Sequence, residues 1–368
     1  LNVRHGVHGY YSRETPDFYY TNHYYGDQNQ VKDIFDELSV RNTLGIALHE
    51  GFNKWAKAGL TAFATHEFRT YNLPYHLGTG GKATQRYTEN NISVGGILSK
   101  KEGKLLHYKA EGDIVLLGED VGQFNIDGKA DLNFRLFKDT VTLAAHAYMK
   151  NLNPSFYYRH YQSQFTWWNN DLNYEFRTRI EGTLHSKKTK TTLRIGVENI
   201  KNHTYFGMEK TPYAENYETI GYSHNTVVNQ YSGNIQVFSA ILNQDFRFGI
   251  FNWENEIAYQ KASNSAALPL PDLTLYSNLY IKFKIAKVLN LELGGDIRYF
   301  TKYYAPDYSP AIGQFVTQDR NSYVSIGNYP ICNVYANLLL KHFRFYITGS
   351  HINASMNGNA FLAPHYPI

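Results

Sequence analysis

The sequence predicts an all-β fold, and within that class a transmembrane antiparallel up-and-down β-barrel of about fourteen strands. Three observations predict it. Apolar residues alternate with polar or charged ones through most of the chain, giving long strands one apolar and one charged face. Short and long links between these runs take turns along the sequence. Rings are abundant, with 32 Tyr and 22 Phe, as aromatic girdles at two membrane interfaces would require. No stretch approaches the ~18–20 consecutive apolar residues of a spanning helix, which excludes a helical membrane protein.

Residues 1–40 read as an external loop, in which Tyr19, Tyr20, Tyr24 and Tyr25 lead into Asp27, Asp33, Asp36 and Glu37. Strands are expected at 41–51, 58–69, 89–100 and 105–117. Gly95-Gly96 interrupts the third of these, where a bend in the strand is the simplest role. At 123–137, Leu132, Phe134 and Leu136 alternate with Asp131, Asn133 and Arg135. After a tight Lys138-Asp139 turn, Val141, Leu143, Ala145, Ala147 and Met149 carry the strand at 140–150.

The clearest hairpin is 170–186 with 190–202. Leu172, Tyr174, Phe176, Thr178, Ile180 and Leu184 alternate with Asn173, Glu175, Arg177, Arg179, Glu181 and His185. Past the basic turn Lys187-Lys188-Thr189, Leu193, Ile195 and Val197 oppose Arg194 and Glu198. Strands at 229–247 and 252–262 follow, with a phase slip near Gly249. A tight turn at Gly249-Ile250 accounts for the slip, and a bulge would give the same one. The runs at 272–286, 289–302, 330–341 and 343–356 complete the set, the second opposing Leu291, Leu293 and Ile297 to Glu292, Asp296 and Arg298.

A single barrel domain over 1–368 results, with its strands at about 41–356 and a second external loop at 357–368. Short links lie near 52–57, 101–104, 138–139, 187–189, 249–251, 287–288 and 341–342. Longer ones lie at 70–88, 151–169, 203–228, 263–271 and 303–329, with a modest link at 118–122. Outer-membrane barrels place short turns in the periplasm and long loops outside. Both ends of the strand set then fall on the external side, so one strand is expected before residue 41 and another after 356. On that count the chain is part of a longer barrel with roughly sixteen or more strands, an even number.

Composition narrows the function. Lys and Arg number 36 against 32 Asp and Glu, a balance unlike the basic stripe of a nucleic-acid binder. The single cysteine, Cys332, cannot form an internal disulfide. Neither a Gly-rich phosphate loop, nor zinc-ligand spacing, nor a nucleophile elbow stands out, so no catalytic residue, cofactor or metal is assigned. His5 and His8 are close together, and Asp27, Asp33 and Asp36 could face a calcium ion; neither set has the spacing of a metal loop, and solvated side chains are the simpler reading.

The charged faces carry the functional expectation. Asp131, Arg135, Glu175, Arg177, Arg179, Glu181, Arg194, Glu198, Asp296 and Arg298 should face the interior, because Arg or Lys on the lipid face costs ~2–4 kcal/mol at midplane. They are candidate pore-lining residues; equally, they could only brace the wall. Mixed signs allow pairs across the lumen and argue against strong ion selectivity. Ring clusters at strand ends, such as Tyr157, Tyr158, Tyr161, Phe165, Trp167 and Trp168, suit a headgroup-level girdle, with a sugar-stacking platform as the rival.

The pattern resembles the putative porin family of Bacteroidetes outer membranes. The matching elements are Pro16-Asp17-Phe18-Tyr19-Tyr20, Arg41-Asn42-Thr43-Leu44-Gly45-Ile46, Phe251-Asn252-Trp253-Glu254-Asn255 with Tyr259-Gln260, and Ala363-Pro364-His365-Tyr366-Pro367. The resemblance implies a non-enzymatic channel in the outer membrane of a Gram-negative bacterium and names no solute.

The expected function is passive diffusion of small hydrophilic solutes through a water-filled lumen. The expected partners are the lipid bilayer, lipopolysaccharide, those solutes and further copies in a homo-oligomer, and not nucleic acid. Two alternatives stay open. One is a non-conducting receptor or scaffold, suggested by the aromatic, acidic segment 10–37. The other is a barrel enzyme, a lipase or protease, for which His66, His146, His185 and His351 would be the histidines to examine.

Overall fold

A computed structural model describes residues 2–11, 18–26, 30–49, 51, 58–77, 81–103, 105–136, 139–354, 361–364 and 366–367. Fifteen strands form one antiparallel sheet in which each pairs with the next along the chain. They are β1 (Asn2–Tyr11), β2 (Gln30–Leu48), β3 (Gly59–Leu77), β4 (Gly81–Lys100), β5 (Leu106–Gly118), β6 (Phe124–Leu136), β7 (Asp139–Leu152) and β8 (Glu175–Ser186). The series continues with β9 (Thr191–Glu209), β10 (Asn225–Phe248), β11 (Phe251–Ala262), β12 (Leu273–Ile285), β13 (Leu289–Phe300), β14 (Ile331–Leu340) and β15 (Phe343–Gly349). A one-turn helix, α1 (Phe156–Arg159), and small two-stranded hairpins decorate the long connections.

The two faces of the sheet differ as a period of two requires. Leu44, Ile46, Val197, Phe345 and Ile347 stand exposed on one face, and Ile180 is 72% exposed there. A soluble sheet would bury such a face, whereas a lipid-facing wall presents it. The opposite face carries the charges. At the short-turn end, Phe248 lies opposite Phe251 and Phe246 opposite Trp253, with the latter rings 5.3 Å apart on the apolar face. This ring cluster is placed as an interfacial girdle is.

The expected turn at Gly249-Ile250 is present, with Gly249 at φ 61°. Lys190, Lys287 and Lys341 also take positive φ in the tight links, as hairpin turns that follow strand twist demand. Of the expected turn Lys138-Asp139, Lys138 lies outside the described residues, while Asp139 opens β7 opposite Leu136. The link at 52–57 lies outside them too. Gly95 has a different role from the expected bend: a Cβ there would come 2.4 Å from the Phe63 ring and 2.6 Å from the Gly112 carbonyl oxygen. Glycine lets Phe63 lie flat across the neighbouring strand.

Four of the expected loops and links are corrected. Residues 1–40 are not all loop, since β1 occupies 2–11 and β2 begins at Gln30. Val31 and Phe35 pack beneath the connections on one face while Ile34 is exposed on the other, which erases the two-residue alternation there. The long link at 70–88 is mostly strand, because β3 and β4 continue past the membrane-length run. Likewise β9 reaches Glu209 and β10 starts at Asn225. At the other end, Phe361–Ala363 and Tyr366–Pro367 pair as a short hairpin inside the expected loop 357–368, apart from the sheet.

Among the described residues β1 pairs only with β2 and β15 only with β14. An odd count makes the two edge strands run in the same direction.

Candidate functional site

The ten charges singled out by the sequence all lie on the polar face. On β8 and β9 they interlock. Arg179 faces Glu198 across the strand pair, and Glu198 accepts from Arg177 Nε at 2.8 Å, from Arg179 Nη1 at 3.3 Å and from the Tyr148 hydroxyl at 2.7 Å. Arg179 Nη2 also reaches Glu181 at 2.5 Å, and Arg194 Nε lies 3.5 Å from the same carboxylate. Glu175 closes a bulge in β9 at Asn202 by accepting from the Thr204 backbone N–H and meeting His203, both at 3.0 Å.

The remaining members sit apart from that cluster. On β6, Asp131 meets His107 Nδ1 at 2.8 Å, and Arg135 is exposed. On β13, Asp296 accepts from Asn333 at 2.9 Å; Arg298 lies 3.6 Å from Asp296 and over the Tyr276 ring at 5.7 Å. These pairs run between neighbouring strands or along one strand, where the sequence had allowed pairs across a lumen. Two-residue spacing on adjacent antiparallel strands brings opposite charges side by side.

The histidines considered for catalysis have other company. His146 meets Asp127 at 2.8 Å, His185 the Thr192 hydroxyl at 2.9 Å, and His351 the Tyr329 hydroxyl at 3.2 Å. His66 pairs with Ile92 across β3 and β4, on the apolar face. No group of three His, Cys, Asp or Glu among the described residues is placed to hold a metal ion. Asp33 accepts from the Tyr25 hydroxyl and, at 3.1 Å, from the Gln164 backbone N–H. Asp27 and the side chains of His5 and His8 lie outside the described residues.

The end of the sheet opposite the short turns holds a mouth that the sequence did not reveal. Segments 18–26, 153–174, 210–224 and 301–330 fold against one another there. The Tyr24 backbone N–H donates to Gln164 O at 2.8 Å, His224 N–H to Tyr19 O at 2.7 Å, and Thr317 N–H to Phe206 O at 2.8 Å. Rings fill the contacts: Tyr71 stacks on Phe156 at 3.8 Å, Tyr20 on Phe165 at 4.3 Å, Tyr158 on Phe206 at 4.4 Å and Tyr161 on Trp168 at 4.8 Å. The girdle expected from these residues is therefore not formed by them; they pack with one another over the polar face. Burial pushes the Tyr157 hydroxyl up to about 12 and raises those of Tyr24, Tyr158 and Tyr303, so these phenols stay neutral at physiological pH.

One polar latch ties the mouth to the wall. Arg159, at the end of α1, donates to Glu89 at 2.6 Å and to Glu119 at 3.2 Å. Glu89 also lies 3.3 Å from Arg69, which bonds Asp120 in turn. Asp120 accepts from Asn91 at 2.9 Å and from Asn153 at 2.8 Å. Arg69 and Glu89 sit on the polar face of β3 and β4, so their alternation is visible in sequence; the partner Arg159, 70 residues from Glu89, is not.

The comparisons with known proteins agree with this architecture. A family model described as putative porin matches residues 1–368. No curated protein matches the chain in sequence. Among solved structures it is similar to the ferric enterobactin receptor of Pseudomonas aeruginosa, at 14% identity and TM-score 0.58, covering 89% of this chain and 50% of that one. The siderophore receptor PirA from Acinetobacter baumannii aligns at 10% identity and TM-score 0.58, over 89% of this chain and 52% of that one. The copper transporter OprC aligns at 10% identity and TM-score 0.63, over 95% and 56%. The chain thus spans about half the length of these structures. At such identities the likeness speaks for the fold, an outer-membrane β-barrel wall. With the family match, it places the chain in the outer membrane of a Gram-negative bacterium.

Proposed function

The chain belongs to the putative porin family, and on that premise we propose that it forms the wall of a passive diffusion channel for small hydrophilic solutes. One observation carries this reading: cations on the charged face stay exposed. Lys129 is 61% exposed, Arg194 48%, Lys282 59% and Arg298 65%. Each is ion-paired and still largely exposed, which suits an aqueous space, since burying such pairs would cost both ions their hydration.

The ten wall charges line that space in this reading, and no reaction is catalysed. Their carboxylates and guanidiniums alternate in sign over a few ångströms, so the wall offers a solute little net field and weak ion selectivity. Its apolar face contacts the bilayer and, in the outer leaflet, lipopolysaccharide. Further strands pair with the open edges of β1 and β15, because a bilayer tolerates no unpaired strand edge. A direct β1–β15 pair would be parallel, which an even-numbered bacterial barrel avoids.

Liposome swelling tests the proposal. Vesicles carrying the full-length protein should admit neutral, cationic and anionic solutes of similar size at similar rates. Vesicles that exclude all three would contradict passive diffusion and favour a closed receptor.

A further inference from the structure

The mouth carries two aromatic cavities on either side of one small hairpin, His160–Gln162 with Trp167–Asn169. Cross-strand pairing sets Gln162 against Trp167 on one face of the hairpin and Tyr161 against Trp168 on the other. The first pair borders a cavity of about 200 Å³ walled by Tyr24, Tyr25, Tyr75 and Trp167 over Gln162 and Ser163. The second borders one of about 410 Å³ that includes Tyr157, Phe206 and Gln314. Among the described residues neither cavity is lined by a charged one, although the wall nearby is dense with charge.

That contrast defines the ligand chemistry. A charged solute would find no partner among these residues; the Ser163 hydroxyl is held by Thr166 within the hairpin turn, which leaves the Gln162 and Gln314 amides as the polar contacts for a neutral, hydroxyl-bearing solute. Trp167 remains 56% exposed despite its position in the mouth, and its ring stands at 88° to that of Tyr24, with centroids 6.1 Å apart. Two perpendicular rings make a corner that takes a flat, saturated ring along one wall and its edge along the other. Hydroxyls on that ring's rim would meet the Gln162 amide, the arrangement of a concave, largely apolar site with a convergent polar group.

We infer that the hairpin 160–169 is a recognition element for neutral saccharides, with the Trp167 corner accepting a pyranose ring on one face and the Trp168 cavity accepting a separate one on the other. The inference deepens the channel reading, because it names a solute class for the same mouth. Its test does not depend on conduction.

Binding of maltotriose to the full-length protein in detergent is measured by isothermal titration calorimetry, with glycerol as the ringless polyol control. The expected result is a saturable heat with maltotriose and none with glycerol. Trp167→Ala should weaken it about tenfold or more, and Trp167→Phe, which keeps a ring, should retain it. Trp167 is exposed, so its truncation leaves the fold intact.

No saturable heat, an equal response to glycerol, or an unaltered affinity in Trp167→Ala would overturn the inference. Tighter binding of N-acetyl-phenylalaninamide than of maltotriose would also overturn it and mark an aromatic-ligand site. A conducting channel without the maltotriose response sinks only this inference, whereas a closed barrel that shows it sinks only the channel.

Discussion

At the residue scale, Glu198 shows how the wall is held. Its buried carboxylate accepts from Tyr148 and two arginines, charge-assisted bonds stronger than neutral ones. Glu198→Ala should destabilise the barrel by about 1–3 kcal/mol, because it leaves Arg177 and Arg179 with only Glu175 and Glu181 and takes the acceptor from the Tyr148 hydroxyl; thermal unfolding followed by circular dichroism in detergent checks this, and an unchanged midpoint would mean that the ladder is ornamental. Gly95 is a second single-residue constraint. Gly95→Ala forces a Cβ into the Phe63 ring and should cost about 1–3 kcal/mol, part of it recovered in the Gly95→Ala/Phe63→Ala double variant, where the contact with the Gly112 carbonyl oxygen persists. A simple loss of flexibility at Gly95 would give no recovery. The amphipathic positions were legible in sequence because face alternation depends on each residue alone; the roles of Gly95 and Arg159 were not, because each is set by a partner on another strand or loop.

At the scale of elements, the hairpin β8–β9 is where sequence reads best. A period of two, a basic turn and opposite charges at matching distances from the turn determine its register almost unaided. Ile180→Arg, on its apolar face, should cost about 2–4 kcal/mol in lipid, measurable as a lower folding yield into vesicles. The same substitution at Thr183, which lies opposite Arg194 on the polar face, should cost much less. The strand extensions and β1 read poorly. Beneath the mouth both faces are covered, one by lipid or solvent and the other by loop rings, so apolar residues such as Val31, Ile34 and Phe35 fall on consecutive faces and the alternation fades. The mouth itself is built from contacts between residues far apart in the chain, such as Thr21 with Asn225, 204 residues away, which no local pattern encodes. Its latch is testable: Glu89→Gln should loosen Arg159 and α1, and limited proteolysis should then cut within 153–174 faster than in the native protein. Equal cleavage rates would show that ring stacking alone secures the segment.

At the scale of the whole molecule, the sheet has two unlike faces. Its apolar face is exposed, its polar face keeps exposed charges, and its long connections gather at one end over that polar face. The chain covers about half of the receptor barrels it resembles, and its two edge strands run the same way. Closure by an antiparallel pair therefore takes at least one more strand. Single-channel recording of the purified full-length protein in a planar bilayer tests the central claim most directly. Stable, ohmic steps with little preference for cations over anions are the predicted result. A barrel that inserts and folds yet passes no current would contradict it.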